Sequence, residues 1–199
     1  MRTPLADAAI KALAIVASLS LSACGAKNIR PNSGMQLQDD SAVLLLGMTP
    51  NWRIQMFRTH VEDDGTIASP SQLQSVEINT FPDNGYVIVK VKPTAASERI
   101  SVEAVFPGMI PYMPCEDSRK PTFVLQAGKV NYVGDLDFTM VDGTPHYSST
   151  SNPEKAQQFL TTYYPQYVSA FESHPMAQLN AHKGRCGNVT FPLVIPIYR

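Results

Sequence analysis

The chain has 199 residues, 16 Lys and Arg against 17 Asp and Glu, and only 17% charged side chains. That near-neutral balance excludes the basic footprint that holds a nucleic acid, and a polybasic lipid-binding face as well. Sixteen prolines, with many Val, Ile, Thr, Tyr and Phe, favour short strands joined by turns over a helical bundle.

Residues 1–24 have the three parts of a secretory signal. Arg2 and Lys11 charge the leading region, residues 12–21 are apolar apart from Ser18 and Ser20, and small residues close the segment. An apolar core of about ten residues is half of the roughly 20 that a spanning helix needs. The closing residues Leu21, Ser22, Ala23 and Cys24 resemble the lipobox of bacterial lipoproteins. The resemblance implies cleavage before Cys24, a thioether from its thiol to a diacylglyceryl group, and acylation of the new N-terminus. Each buried acyl CH₂ contributes about 0.8 kcal/mol, so several chains hold the protein to a membrane far more firmly than one. Gly25 stands where, in that family, Asp marks inner-membrane retention. The implied location is therefore the outer membrane, on its periplasmic face. Cleavage removes Arg2, Lys11 and Asp7 and leaves 14 basic and 16 acidic side chains.

Cys115 and Cys186 are the cysteines that remain. In an oxidising compartment they are expected to pair, and closing so long a loop contributes about 4 kcal/mol on the chain-entropy account. Residues 25–40 are polar and show no apolar period, so residues 24–40 are expected to be a lipidated start and flexible tether. A single domain is then expected over 41–199.

The run Ser-Ala-Val-Leu-Leu-Leu-Gly at 41–47 predicts a buried strand. Trp52, Ile54 and Met56 alternate with Arg53 and Gln55 and predict its hairpin partner. Glu62-Asp63-Asp64-Gly65 predicts a charged turn, since it lacks the spaced ligands of a calcium loop. Val76 and Ile78 mark a short strand. Residues 86–92 and 99–106 alternate with period two and predict a second hairpin. The proline-rich stretch 107–115 predicts an apolar loop, and residues 116–120 a solvated tip.

A long central strand is predicted from Val130, with Tyr132, Gly134, Leu136, Phe138 and Met140 on one face and Asn131, Asp135, Asp137 and Thr139 opposite. Gly134 marks a bend or a close neighbour. The stretch Ala127-Gly128-Lys129-Val130-Asn131-Tyr132-Val133-Gly134-Asp135 resembles a hairpin of small β-sandwich lipoproteins of Gram-negative bacteria, where a short helix ending in Tyr-Pro follows, as it does here. The resemblance implies a fold and no activity. Asn152-Pro153-Glu154 supplies an N-cap, a first-turn proline and an acid toward the helix dipole, predicting a helical segment over about 152–172. A final strand is predicted over 188–197, broken by Pro192 and Pro196 and so at a sheet edge. The whole predicts a mainly β chain: an antiparallel β-sandwich, immunoglobulin-like or transthyretin-like, with one short helix inserted near the C-terminal end.

No catalytic signature is present. His60, His146, His174 and His182 sit in no nucleophile elbow or metalloprotease helix, and no cofactor is called for. The leading expectation is a non-enzymatic module that binds or braces an envelope protein through the apolar loop around Met109 and Met113 or the C-terminal edge strand. A copper-handling site is the alternative, since Met109, Met113 and Cys115 offer soft thioether and thiolate ligands, with His182 and Cys186 to complete it. A further alternative is a thiol-dependent enzyme pairing Cys186 with His182.

Overall fold

The computed structural model describes residues 25–68, 74–113 and 119–181. Among these residues ten strands form two five-stranded sheets that face one another. The first sheet runs β4 (Tyr86–Val91), β1 (Ala42–Thr49), β7 (Val130–Val141), β8 (Thr144–Thr150), with β9 (Phe171–Ser173) alongside the start of β7. The second runs β10 (Ala177–Asn180), β6 (Arg119–Phe123), β5 (Glu98–Phe106), β2 (Arg53–His60), β3 (Ile78–Thr80). The fold is a β-sandwich with mixed pairing: β7 lies parallel to both β1 and β9, and every other ladder is antiparallel.

The first sheet is covered on both faces, which explains the unbroken apolar run of β1. Ala42, Leu44, Leu46 and Met48 enter the core between the sheets. Val43 and Leu45 point the other way, into a second core beneath helix α1 (Pro153–Tyr163) and a 3₁₀ turn (Pro165–Ala170). Asn152 caps α1, accepting from the backbone N–H of Lys155 at 3.0 Å. Ala156, Phe159 and Leu160 form the buried stripe of α1, and Phe159 stacks on Tyr86 with ring centroids 4.3 Å apart. Burial of a large apolar side chain there stabilises the layer by about 1.5–3 kcal/mol.

Strand β7 contributes to both cores. Val130 and Tyr132 belong to the helix-side cluster, whereas Val133, Leu136 and Phe138 belong to the core between the sheets. The switch occurs at a bulge, where the register against β1 shifts between Leu45 and Gly47. Two glycines permit it. Gly134 has φ +108°, and a Cβ there would lie 2.8 Å from the carbonyl oxygen of Thr150; a Cβ on Gly47 would fall 1.7 Å from Asp135 Oδ1. The expected single-faced alternation of β7 is therefore corrected. Asn131, placed on a wet face by that pattern, is fully buried; it accepts from the Gln126 N–H at 2.9 Å and donates to the Gln126 carbonyl at 3.1 Å.

The expected hairpins do not form. β1 and β2 lie in different sheets, as do β4 and β5, so the intervening turns carry the chain from sheet to sheet. The Gly128 turn likewise crosses from β6 to β7. Alternation reveals that a strand has two different faces, but a sandwich strand and a hairpin strand satisfy it equally. Arg119 and Lys120, expected in a solvated tip, open β6, and Lys120 is buried.

The expected tether is a strap over much of its length. Ala26 N–H donates to the Glu77 carbonyl at 2.8 Å beside β3, and Ile29 N–H donates to the Ile88 carbonyl of β4 at 2.8 Å. Between them, the Asn28 side chain donates to the Phe81 carbonyl at 2.7 Å and accepts from the Ile88 N–H at 3.0 Å. Ile29 is buried, and the hydroxyls of Tyr164 and Tyr167 donate to the carbonyls of Ile29 and Met35 at 2.7 and 2.9 Å. Polar composition concealed this because a strap held by backbone needs few apolar side chains.

Candidate functional site

An apolar cavity of about 260 Å³ opens between the sheets toward the β8–β10 side. Val102, Ala104 and Val105 of β5 form one wall, and Phe138 of β7 with Tyr147 of β8 the other. Phe138 lies between Trp52 and Tyr147, with centroids 5.8 and 5.9 Å away. Pro121 and Pro145 line the cavity without backbone N–H donors, and His146 is exposed on its rim.

The loop after β5 bends back onto the cavity. Tyr112, which lines it, exchanges backbone hydrogen bonds with Val105 at 2.8 and 3.0 Å. Arg53 holds the base of this loop, its guanidinium 3.8 Å over the Phe106 ring. Between these fixed points the crest projects into solvent: Met109 is 96% exposed and Ile110 79%. Exposed apolar crests beside an apolar cavity are the pattern of a recognition surface.

From the β8 wall of the cavity, the Tyr147 hydroxyl reaches across the sandwich to the Arg119 carbonyl at 2.5 Å and to Gln178 Oε1 at 2.7 Å. Its single proton serves one acceptor at a time. Burial pushes the hydroxyl up to about 12, against a smaller opposing pull from Arg119. It remains a neutral donor throughout the physiological range.

Two polar clusters escaped the sequence reading. On β5 and β6, Glu103 accepts from Ser101 Oγ and from Lys120 Nζ, and all three residues are buried. The carboxylate stands between hydroxyl and amine, so the arrangement is an ion pair joining two strands and not a Ser–Lys nucleophile with its base. At the β7 bulge, the Tyr132 hydroxyl donates to Asp135 Oδ2 at 2.5 Å and accepts from the Asn152 N–H at 2.8 Å. Burial, then the Asp135 carboxylate, raises the Tyr132 hydroxyl well above its ordinary value. This second cluster ties the start of α1 to the sheet. A charged or hydroxyl residue at every second position of an apolar strand was the available signal, but it is shared by any half-wet strand.

The sequence-predicted site residues are placed as follows. Leu21, Ser22, Ala23, Cys24, Cys115, His182 and Cys186 lie outside the described residues, as does the expected strand 188–197. Met109 and Met113 share the exposed loop beside the cavity. Among the described residues no three His, Cys, Asp or Glu side chains gather into a metal site. His60 and His146 are exposed, and His174 meets Glu172 at 3.0 Å. Glu172 is held below the usual carboxylate range by Lys129 and then His174. Comparison with protein-family models, with curated proteins and with solved structures finds no match to this chain.

Proposed function

We propose that this chain is a lipid-anchored lipoprotein of the bacterial envelope, held through Cys24 in the outer membrane, and that it works as a non-enzymatic binding module facing the periplasm. The observation that supports the binding role is the apolar cavity with its exposed Met109 and Ile110 crest. A cavity of about 260 Å³ falls just below the range of roughly 300–1,000 Å³ usual for small-molecule sites. It suits one anchoring apolar side chain from a partner protein, with the crest packing around it.

A photo-crosslinking residue at Ile110 tests this in intact cells. The expected result is a discrete adduct with an envelope protein that disappears when Ala104→Leu fills the cavity. Adducts that are absent, or indifferent to Ala104→Leu, would remove the cavity from the reading. The anchor is tested separately: Cys24→Ser should abolish lipid labelling and release the protein or leave it uncleaved.

A further inference from the structure

We propose that the corner joining β3 to β4 is a membrane seat: it lies flat on the bilayer, with the Phe81 ring among the headgroups and Lys27 and Arg30 facing anionic lipid. The proposal rests on the lipid anchor at Cys24 read above and adds an orientation to it. A free tether of residues 25–40 would let the domain wander on the order of 20 Å from its anchor. The strap removes that freedom. Ala26 pairs with Ile78 in a parallel bridge, its N–H bonded to the Glu77 carbonyl at 2.8 Å. A Cβ on Gly25 would sit 3.0 Å from both the Asn79 N and the Val76 O, so Gly25 is already seated against the sheet edge. Acyl chains carried by the residue before Gly25 would thus tie the domain at β3 and not at the end of a leash.

What surrounds that point suits a bilayer surface. Phe81 follows β3 directly and is 56% exposed, while its carbonyl is held by Asn28 at 2.7 Å. The backbone is thus fixed and the ring is turned outward. Aromatic and aliphatic side chains in this position enter the headgroup boundary. Lys27 and Arg30 are exposed on the strap to either side of Asn28, against Asp83 in the neighbouring turn. Cations within a few residues of an acyl anchor are drawn to anionic lipid. Within the first sheet the proposed seat and the cavity lie at opposite edges. β4 and β8 are separated by β1 and β7, three strand spacings or roughly 14 Å. Seating β3 and β4 therefore leaves the β8 wall of the cavity at the far edge of the first sheet, while in the second sheet Val105 stands two strands from Thr80, each paired with Ile54.

The test uses the acylated protein in vesicles of phosphatidylcholine and phosphatidylglycerol, with acylation established by mass. In the Trp52→Phe, Phe81→Trp double variant the tryptophan at position 81 is the sole one. We expect blue-shifted emission, at least a two-fold loss of intensity with lipids brominated along the acyl chain, and weaker quenching after Lys27→Glu with Arg30→Glu. A tryptophan placed at Ile110 instead should be quenched less. If the double variant does not fold, Phe81→Trp alone gives the same readout as a difference from the parent. Unquenched emission from position 81 in protein that carries its lipid overturns the seat and leaves the anchor standing; equal quenching at 81 and 110 does the same. Protein without lipid overturns both, and a photo-crosslinking residue placed at position 81 that captures a protein in intact cells would assign the corner to a protein partner and overturn the seat.

Discussion

At the β3–β4 edge the two sheets are joined by main chain. The strap bonds to both, and Arg58 adds a clasp, donating to Glu77 and Glu98 at 3.0 and 2.9 Å and to the carbonyls of Lys92 and Pro93 just beyond β4. At the β8–β10 edge main chain also crosses, since β9 and the N–H of Met176 bond to β7 and β10 pairs with β6, but β8 itself meets β10 through side chains, Tyr147 and Gln178 above all, and the cavity lies against that seam. Backbone pairing fixes register and covers an edge that would otherwise template association with another chain. A side-chain closure can change rotamer at modest cost, so a partner's side chain can enter without unzipping a ladder. One edge is built to stay shut and the other to yield.

Four measurements would break or sharpen that contrast. Ile29→Ala should cost about 3 kcal/mol in urea unfolding, because it empties a buried site beneath the strap; a loss under about 1 kcal/mol would mean the strap closes little. Asn28→Ala should cost about 1–2 kcal/mol through its two hydrogen bonds and hasten amide exchange at Ile88.

The clasp should be acid-sensitive. The Glu98 carboxyl is held below its ordinary value by the Ala95 backbone N–H and then by Arg58. A depressed folded value gives stability that is present above the unfolded value of about 4.3 and is lost as pH falls through the folded one. Glu98→Gln should therefore cost about 1 kcal/mol at pH 7 and flatten the acid limb of a stability-versus-pH curve. An unchanged acid limb would assign that limb to other carboxylates. Tyr147→Phe should have the smallest effect, under about 1 kcal/mol, since only one donor is lost. Its signature is faster amide exchange in β10 with β4 unaffected, and equal acceleration at both edges would erase the contrast.

The sandwich was legible in the sequence because the period-two runs at 86–91 and 99–106 and the continuous run of β1 are strand signals. The helix start at Asn152-Pro153 was legible because capping is local chemistry. Strand partners were not, since β1 finds β7, 88 residues further along, and no local rule encodes that choice. The strap was hidden for the opposite reason: Ala26, Asn28 and Ile29 act through backbone and one amide, which composition does not register. At the cavity, Met109 and Met113 were legible as an apolar loop, but the walls supplied by Ala104, Phe138 and Tyr147 come together only when the sheets face each other.

The central place of β1 also sets an order of events. The Val43 carbonyl accepts from the Asn131 amide, 88 residues later in the chain, and Val43 N–H donates to the Lys129 carbonyl at 2.9 Å. Chain order places β1 well before β7, so an apolar strand that ends almost wholly buried waits with one side unpaired. Such long-range pairing is slow, and a bare apolar strand is open to aggregation in the interval. The first sheet is thus completed late, and until β7 arrives the open side of β1 is a template that a second copy could pair with.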